Sequence, residues 1–235
     1  MNLVIIPTYN EKENIADIIA AVMGLEGGFH VLVIDDGSPD GTASIVKGLD
    51  YPGRLHLLER EGKLGLGTAY LTGFKWALDR GYDYIFEMDA DFSHNPADLS
   101  RLWKACSEEG ADLAVGSRYC SGISVVDWPL SRIIMSYGAS LYVRMVLGMK
   151  VFDTTAGFVC YSRKVLEGID LDDVRMKGYG FQIEMKYTAW KLGFKVKEVP
   201  IVFINRQKGT SKMSGGIFGE AFWGVIGLRF RRFRK

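Results

Sequence analysis

Asp89 and Asp91 stand two residues apart at the end of the apolar run Tyr82-Asp83-Tyr84-Ile85-Phe86-Glu87-Met88. Two carboxylates at that spacing can grip one divalent cation while the cation also holds a diphosphate. Hard cations such as Mg2+ and Mn2+ prefer oxygen ligands, and they commonly take one or two protein carboxylates plus substrate phosphates. The triplet alone is weak evidence. The chain carries 16 Asp in 235 residues, so chance supplies about one such spacing. Asp170-Leu171-Asp172 repeats it. Setting separates the two: Asp89 and Asp91 follow a predicted strand, precede turn residues, and share the chain with acidic turns upstream.

Asp35-Asp36 also follows a buried apolar run and opens the dense turn Gly37-Ser38-Pro39-Asp40-Gly41. Such residues favour turns in any protein, yet a carboxylate here could also hydrogen-bond a nucleotide base or ribose. Gly62-Lys63-Leu64-Gly65-Leu66-Gly67 is no dinucleotide fingerprint, because Tyr70 stands where its third glycine belongs. The basic candidates are Arg118, Arg132, Arg206 and Lys212. Arg206-Gln207-Lys208-Gly209-Thr210-Ser211-Lys212 reads as a hydroxyl-bearing basic loop beyond a strand, suited to closing over phosphate oxygens. Arg132 opens an apolar helix and could meet an anionic head group.

The elements that must position these residues are legible as alternating short strands and helices. Leu3-Val4-Ile5-Ile6 reads as a strand stopped by Pro7, with Asn10 capping a helix that carries Ile15, Ile18, Ile19 and Val22. Strands are expected at Val31–Ile34, Leu55–Leu58, up to Met88, and at Leu113–Val115, with helices between them. This implies right-handed βαβ units in a mainly parallel sheet flanked by helices, an α/β fold. Ligands bind beyond the carboxyl ends of such strands, where Thr8 to Glu11, Asp35-Asp36 and Asp89/Asp91 gather. Further on, a long helix is expected from Pro129 to Met149, extended chain over 151–162, helix over 179–192, and extended chain from Val196 to Ile204.

At 235 residues and 48% hydrophobic the chain can bury one substantial core. The 29 basic and 28 acidic residues leave a net charge of +1, which argues against bulk nucleic-acid binding. Cys106, Cys120 and Cys160 are widely spaced and read as reduced thiols of a cytosolic protein. Met1 runs straight into a strand, leaving no room for a signal peptide, and no 18-residue apolar run should span a bilayer.

The C-terminus is the second strong signal. Ile217, Phe218, Ala221, Phe222, Val225 and Ile226 are expected to share one helical face, continued by Phe230 and Phe233. Arg229, Arg231, Arg232, Arg234 and Lys235 crowd its end. That composition suits an amphipathic helix lying on an anionic membrane surface. We therefore divide the chain into a catalytic domain, 1–215, and a basic interfacial helix, 216–235.

Taken together these stretches resemble the family-2 glycosyltransferases of GT-A fold, a Rossmann-like architecture, and more narrowly the polyprenol-phosphate (dolichol-phosphate) mannosyltransferases. The similarity rests on Pro7-Thr8-Tyr9-Asn10-Glu11, Asp35 to Thr42, Gly65-Leu66-Gly67 and Met88 to His94. It continues through Gly116-Ser117-Arg118-Tyr119, Asp153 to Phe158, Gly178 to Met185, Glu198-Val199-Pro200-Ile201 and Gly209 to Gly215. Val159-Cys160 departs from the pattern, where members often carry a basic residue, and Ser93 stands where many relatives place Gln.

The resemblance implies GDP-mannose as donor, a polyprenyl monophosphate as acceptor, and inversion to a β-linked mannosyl phosphate. It implies Mg2+ or Mn2+ on Asp89 and Asp91. Pro7, Tyr9, Glu11, Asp35 and Asp36 would frame the nucleoside, with Ala90 and Gln182 in the nucleotide-sugar site. Arg118 and Arg132 would take the acceptor phosphate, while Arg206 and Lys212 close over the diphosphate. The expected location is peripheral, on the cytoplasmic face of a membrane, with a small membrane partner subunit left open. Three alternatives stand beside this reading. One is a glucosyl transfer from UDP-glucose. Another is transfer to a soluble hydroxyl, served by a base near Asp153. The third is a noncatalytic nucleotide-sugar-binding subunit.

Overall fold

The computed structural model describes residues 1–176, 178–206, 217–231 and 233, with backbone alone for 179 and 217–221. The chain opens with β1 (Asn2–Thr8), α1 (Ile15–Met23), β2 (Phe29–Asp35), α2 (Thr42–Lys47), β3 (Leu55–Glu59), α3 (Leu66–Asp79) and β4 (Tyr84–Glu87). Then come α4 (Asp98–Ser107), β5 (Leu113–Ser117), β6 (Val125–Val126), α5 (Leu130–Leu147), β7 (Val159–Ser162) and α6 (Arg163–Gly168). The last elements are α7 (Gly178–Lys191), β8 (Val196–Pro200), β9 (Phe203–Ile204) and α8 (Ile217–Phe230).

One seven-stranded sheet runs in the order β3-β2-β1-β4-β7-β5-β8. All of its strands are parallel except β7, which pairs antiparallel with both neighbours. The first apolar runs have no polar alternation because both sheet faces are covered. Val4, Ile6, Val31 and Val33 point to a core with α1 and α4, where Ile18, Ile19, Leu99 and Leu102 sit. Leu3, Ile5, Leu32 and Ile34 point the other way, against Tyr70 and Phe74 of α3 and Phe181 and Met185 of α7. A third cluster joins α5, α7 and α8 through Val143, Leu147, Ile183, Tyr187, Val225 and Leu228.

Strand order reverses at β1. The chain moves outward to β2 and β3, then returns to the far side of β1 as β4, opening a crevice beyond the carboxyl ends of these strands. The expected gathering of three acidic stretches at one sheet edge follows directly from that topology.

Several expected boundaries differ, each for a physical reason. Pro7 does not stop β1, which continues through Thr8. Its missing N–H falls on the β4 side, and β4 has already ended at Glu87, opposite Ile5. Asn10 does not cap α1. It lies at φ 56° in a loop, and the helix starts at Ile15 after a turn closed by the Glu11 carbonyl. Residues 151–162 are extended only from Val159, because 153–156 make a turn held by side chains. Among the described side chains of the C-terminal helix, from Phe222 onward, the apolar residues do not share one environment; those of Ile217, Phe218 and Ala221 lie outside the description. Val225 and Leu228 are buried while Phe222, Trp223 and Phe230 are exposed, since a helix apolar all round can serve two surfaces.

Candidate active site

The Asp89–Asp91 turn caps β4 and is braced from below. Asp91 Oδ1 accepts the Ser93 amide at 3.0 Å, and Phe92 takes a left-handed φ of 59° to make the turn. The Asp89 amide donates to His94 Nδ1 at 3.3 Å. His94 is buried, stacked on Phe158 at 4.8 Å with Phe203 edge-on at 5.3 Å. Burial lowers its pKa to about 4, which suits a neutral ring whose Nδ1 accepts. Sequence reasoning missed this bracing role; a histidine five residues beyond Asp89 was the available signal.

The two carboxylates differ in charge preference. Burial, then the charge on Asp91, raises Asp89 to about 7. Because 42% of its side chain stays open to the cleft, water there tempers the burial, and the convergence of like charges stands as the firmer cause. Burial also works against ionised Asp91, but the Ser93 hydroxyl and amide and the cation of Arg206 outweigh it and lower its pKa. A divalent cation fits this pair. Both side chains line the cleft, and the proton drawn to Asp89 by the charge on Asp91 marks a repulsion that a cation would relieve. Among the described residues no three His, Cys, Asp or Glu side chains form a ready cage, so a cation here would complete its shell with substrate oxygens.

Toward β1 and β2 the pair Asp35-Asp36 divides its work. Asp35 is buried, and its oxygens accept Thr8 Oγ1 at 2.9 Å, the Ser38 amide at 2.8 Å and Ser38 Oγ at 2.6 Å. It holds the turn and lies outside the cleft lining. Asp36 lines the cleft and is paired with Arg60, whose Nε donates at 2.6 Å. Its pKa is raised, burial outweighing the pull of Arg60. Arg60 also donates to Thr68 Oγ1 at 2.9 Å, tying β3 to α3. Sequence reasoning missed Arg60, although it sits one residue past β3 at the same sheet edge. Pro7, Tyr9, Glu11 and Ala90 line the cleft with Asp36, and Lys63 lies 5.3 Å over the Tyr9 ring. Gly65 turns the chain into α3 at φ 101°, and a Cβ on Gly67 would meet Phe181 at 3.0 Å, so packing explains much of that glycine pattern.

Of the expected basic side chains, Arg206 and Arg118 meet carboxylates rather than standing in solvent. Arg206 Nη2 lies 2.6 Å from Asp91 Oδ2, with Nη1 3.9 Å from Glu11 Oε1. Arg118 donates through Nε and Nη2 to Asp153 at 2.6 Å each, and to Thr155 Oγ1 at 2.9 Å. Asp153 is fully buried, and Glu198 holds its amide and that of Phe152 at 2.9 and 2.8 Å. Neither carboxylate is therefore open to act as the base that a soluble hydroxyl acceptor would need. Arg132 stacks on Trp128 at 3.9 Å and donates to Asn205 Oδ1 at 2.9 Å. Lys212 and the rest of the 207–216 loop lie outside the described residues.

Gln182 comes from α7 and is held between two buried titratable side chains. Its Nε2 donates to Glu87 Oε2 at 2.6 Å, and its Oε1 accepts from Lys186 Nζ at 3.0 Å. Burial raises Glu87 to about 8 and lowers Lys186 to about 8, each opposed by the other's charge. Neither Glu87 nor Lys186 was read as functional from sequence.

All these groups line or underlie one cleft of about 920 Å³. Its floor is Asp89, Ala90 and Asp91; an apolar arm continues past Met135, Ala139, Tyr142, Val143, Ile183 and Phe222. The model of the family "Glycosyl transferase family 2" matches residues 3–170. The chain belongs to glycosyl transferase family 2. It is 50% identical to the polyprenol monophosphomannose synthase of Mycolicibacterium smegmatis over 96% of this chain and 87% of that one. It is 46% identical to the undecaprenyl-phosphate mannosyltransferase of Micrococcus luteus, covering 97% and 98%. Among solved structures, glucosyl-3-phosphoglycerate synthase from Mycobacterium tuberculosis, in complex with Mn2+, UDP-glucose and phosphoglyceric acid, superposes with a TM-score of 0.71. That likeness covers 97% of this chain and 79% of that one at 20% identity, and it shows the fold.

As a family-2 glycosyltransferase the protein has the GT-A architecture expected from its sequence, and β7, inside the stretch expected to be extended, runs antiparallel to both neighbours. The C-terminal cations are not all available to a surface. Arg231 reaches back to Glu184 and Asp173, while Arg232, Arg234 and Lys235 lie outside the described residues. No helix among the described residues is long and apolar enough to cross a membrane.

Proposed function

We propose that this glycosyltransferase moves mannose from GDP-mannose to a polyprenyl monophosphate, inverting the sugar carbon to give a β-mannosyl phosphate lipid. One observation carries the reading: a single cleft joins the Asp89/Asp91 pair and three arginines to an apolar arm between α5 and α8. A nucleoside diphosphate suits the first end and a prenyl chain the second. The names of the two close relatives support the same acceptor class.

The acceptor phosphate is anionic near neutral pH, so its oxygen can attack the anomeric carbon without a side-chain base. The carbon–oxygen bond to the diphosphate breaks, and the nucleotide leaves with the electron pair. Arg118 and Arg132, at the head of the apolar arm, would hold the acceptor phosphate in line. Arg206 beside Asp91 would draw the diphosphate oxygens. Asp89 and Asp91 would hold Mg2+ or Mn2+, which when bound supplies Lewis-acid stabilisation of the leaving diphosphate. Positioning and charge stabilisation are the protein's share.

The same reading places the protein on the cytoplasmic face of a membrane. Leu130, Ile134, Leu141 and Met145 of α5 are exposed along one side, and Trp223 of α8 is 71% exposed. Tyr142 and Phe222 stack at 4.9 Å and join the two helices. This surface adjoins the apolar arm and suits burial in the acyl boundary, so a prenyl chain could pass from bilayer to cleft. The test is full-length protein with vesicles carrying polyprenyl phosphate, labelled GDP-mannose or UDP-glucose, and Mn2+ or EDTA. Metal-dependent mannosyl lipid supports the reading; label from UDP-glucose alone would change the sugar.

A further inference from the structure

Lys186 is fully buried inside α7, an uncommon place for an ammonium group. Its three N–H donors find three acceptors: Ala156 O at 2.6 Å, Gln182 O at 3.1 Å and Gln182 Oε1 at 3.0 Å. An ammonium group has no acceptor to offer. The Gln182 amide must therefore turn its oxygen to Lys186 and its nitrogen to Glu87, whatever the protonation of Glu87.

That leaves one hydrogen on Gln182 Nε2 unspoken for among the described residues. Gln182 lines the cleft beside Ala156 and Gly157. A Cβ on Gly157 would stand 3.9 Å from Nε2, so any side chain there would lie over the nitrogen. Glycine keeps it approachable.

We propose that Lys186 is a positioning residue for the donor sugar: by fixing the amide of Gln182, it makes Gln182 present an N–H donor, never a carbonyl, to one sugar hydroxyl. This deepens, and rests on, the mannosyl-transfer reading. A fixed donor recognises a hydroxyl oxygen and discriminates against a sugar lacking it. With the ammonium removed, the amide can rotate and offer either end.

The test uses full-length protein on polyprenyl-phosphate vesicles with Mn2+, GDP-mannose and its four monodeoxy analogues. It compares wild type, Lys186→Met, and the double variant Glu87→Gln/Lys186→Met, which leaves no buried charge unpaired if the single variant folds poorly. In wild type one analogue should lose about tenfold in kcat/KM, the worth of a neutral hydrogen bond. In both variants that penalty should fall to about twofold or less, while penalties at the other hydroxyls persist. A uniform loss across all donors, with every ratio unchanged, would make Lys186 merely structural and overturn the proposal. Wild type that turns over no mannosyl donor would overturn the transfer reading itself, and the proposal with it.

Discussion

Arg118 and Asp153 are joined side by side, Nε to Oδ2 and Nη2 to Oδ1 at 2.6 Å each, and the Arg118 amide adds a third bond at 2.9 Å. The pair links β5 to the turn before β7, and Glu198 of β8 holds that turn in place. An arginine at the cleft is thus aimed by a carboxylate buried outside the cleft lining. Planar bidentate pairing of this kind fixes orientation as well as charge.

Asp153→Asn should therefore act on acceptor use more than on donor use. Breaking a buried ion pair costs about 3 kcal/mol or more, so the urea midpoint should fall clearly. The KM for polyprenyl phosphate should rise while the KM for GDP-mannose changes little. Equal rises in both would mean that the turn, and not Arg118, was disturbed.

Asp91→Ala should lower kcat by about a hundredfold or more, on the order of 3 kcal/mol of transition-state stabilisation. Its melting temperature should fall as well, because the Ser93 amide and Arg206 each lose a partner, so turnover is read on folded protein well below the transition. Near-normal turnover would remove Asp91 from the chemistry.

The two sides of α8 should separate cleanly. Leu228 is buried against α5 and α7, so Leu228→Ala should cost about 3 kcal/mol in chemical denaturation. Trp223→Ala should leave stability within about 0.5 kcal/mol and weaken vesicle binding in flotation assays. Deleting 216–235 should destabilise the fold as well as release it from vesicles, since Val225, Leu228 and Arg231 are all engaged.

A pH test lies at the opposite end of the sheet. Tyr82 Oη sits 2.9 Å from His30 Nδ1 and 3.4 Å from His56 Nε2. Both imidazoles have pKa values lowered from 6.5, chiefly by burial. The unfolded chain then binds more protons just below that value, so stability is full above it and declines as pH falls through the lowered values. His56→Gln should flatten the decline of the urea midpoint between about pH 7 and pH 5; an unchanged slope would assign the acid sensitivity elsewhere.

Strand ends were legible because short apolar runs end in Asp, Gly and Ser, and a parallel sheet brings those ends together. Asp89, Asp91, Glu11 and Asp36 could therefore be grouped before any coordinates. Reversal of β7 was not legible, since an apolar run buried on both faces carries no sign of its direction. Helix α7 gave up Gln182 by resemblance alone and hid its other polar residues for another reason. Gln182, Glu184, Lys186 and Thr188 are all buried, so no polar face marks them and a lysine reads as surface. Arg60 was missed, and Arg231 was read as a surface cation, because their partners are distant in sequence.

The most direct measurement pits two acceptors against each other: vesicles of polyprenyl phosphate and a water-soluble mannoside bearing free hydroxyls, with GDP-mannose and Mn2+. With Asp153 and Glu198 already bonded, the expected result is label in the lipid alone, as a β-mannosyl phosphate by NMR. Transfer to the soluble hydroxyls at a comparable rate would contradict a base-free, lipid-phosphate site.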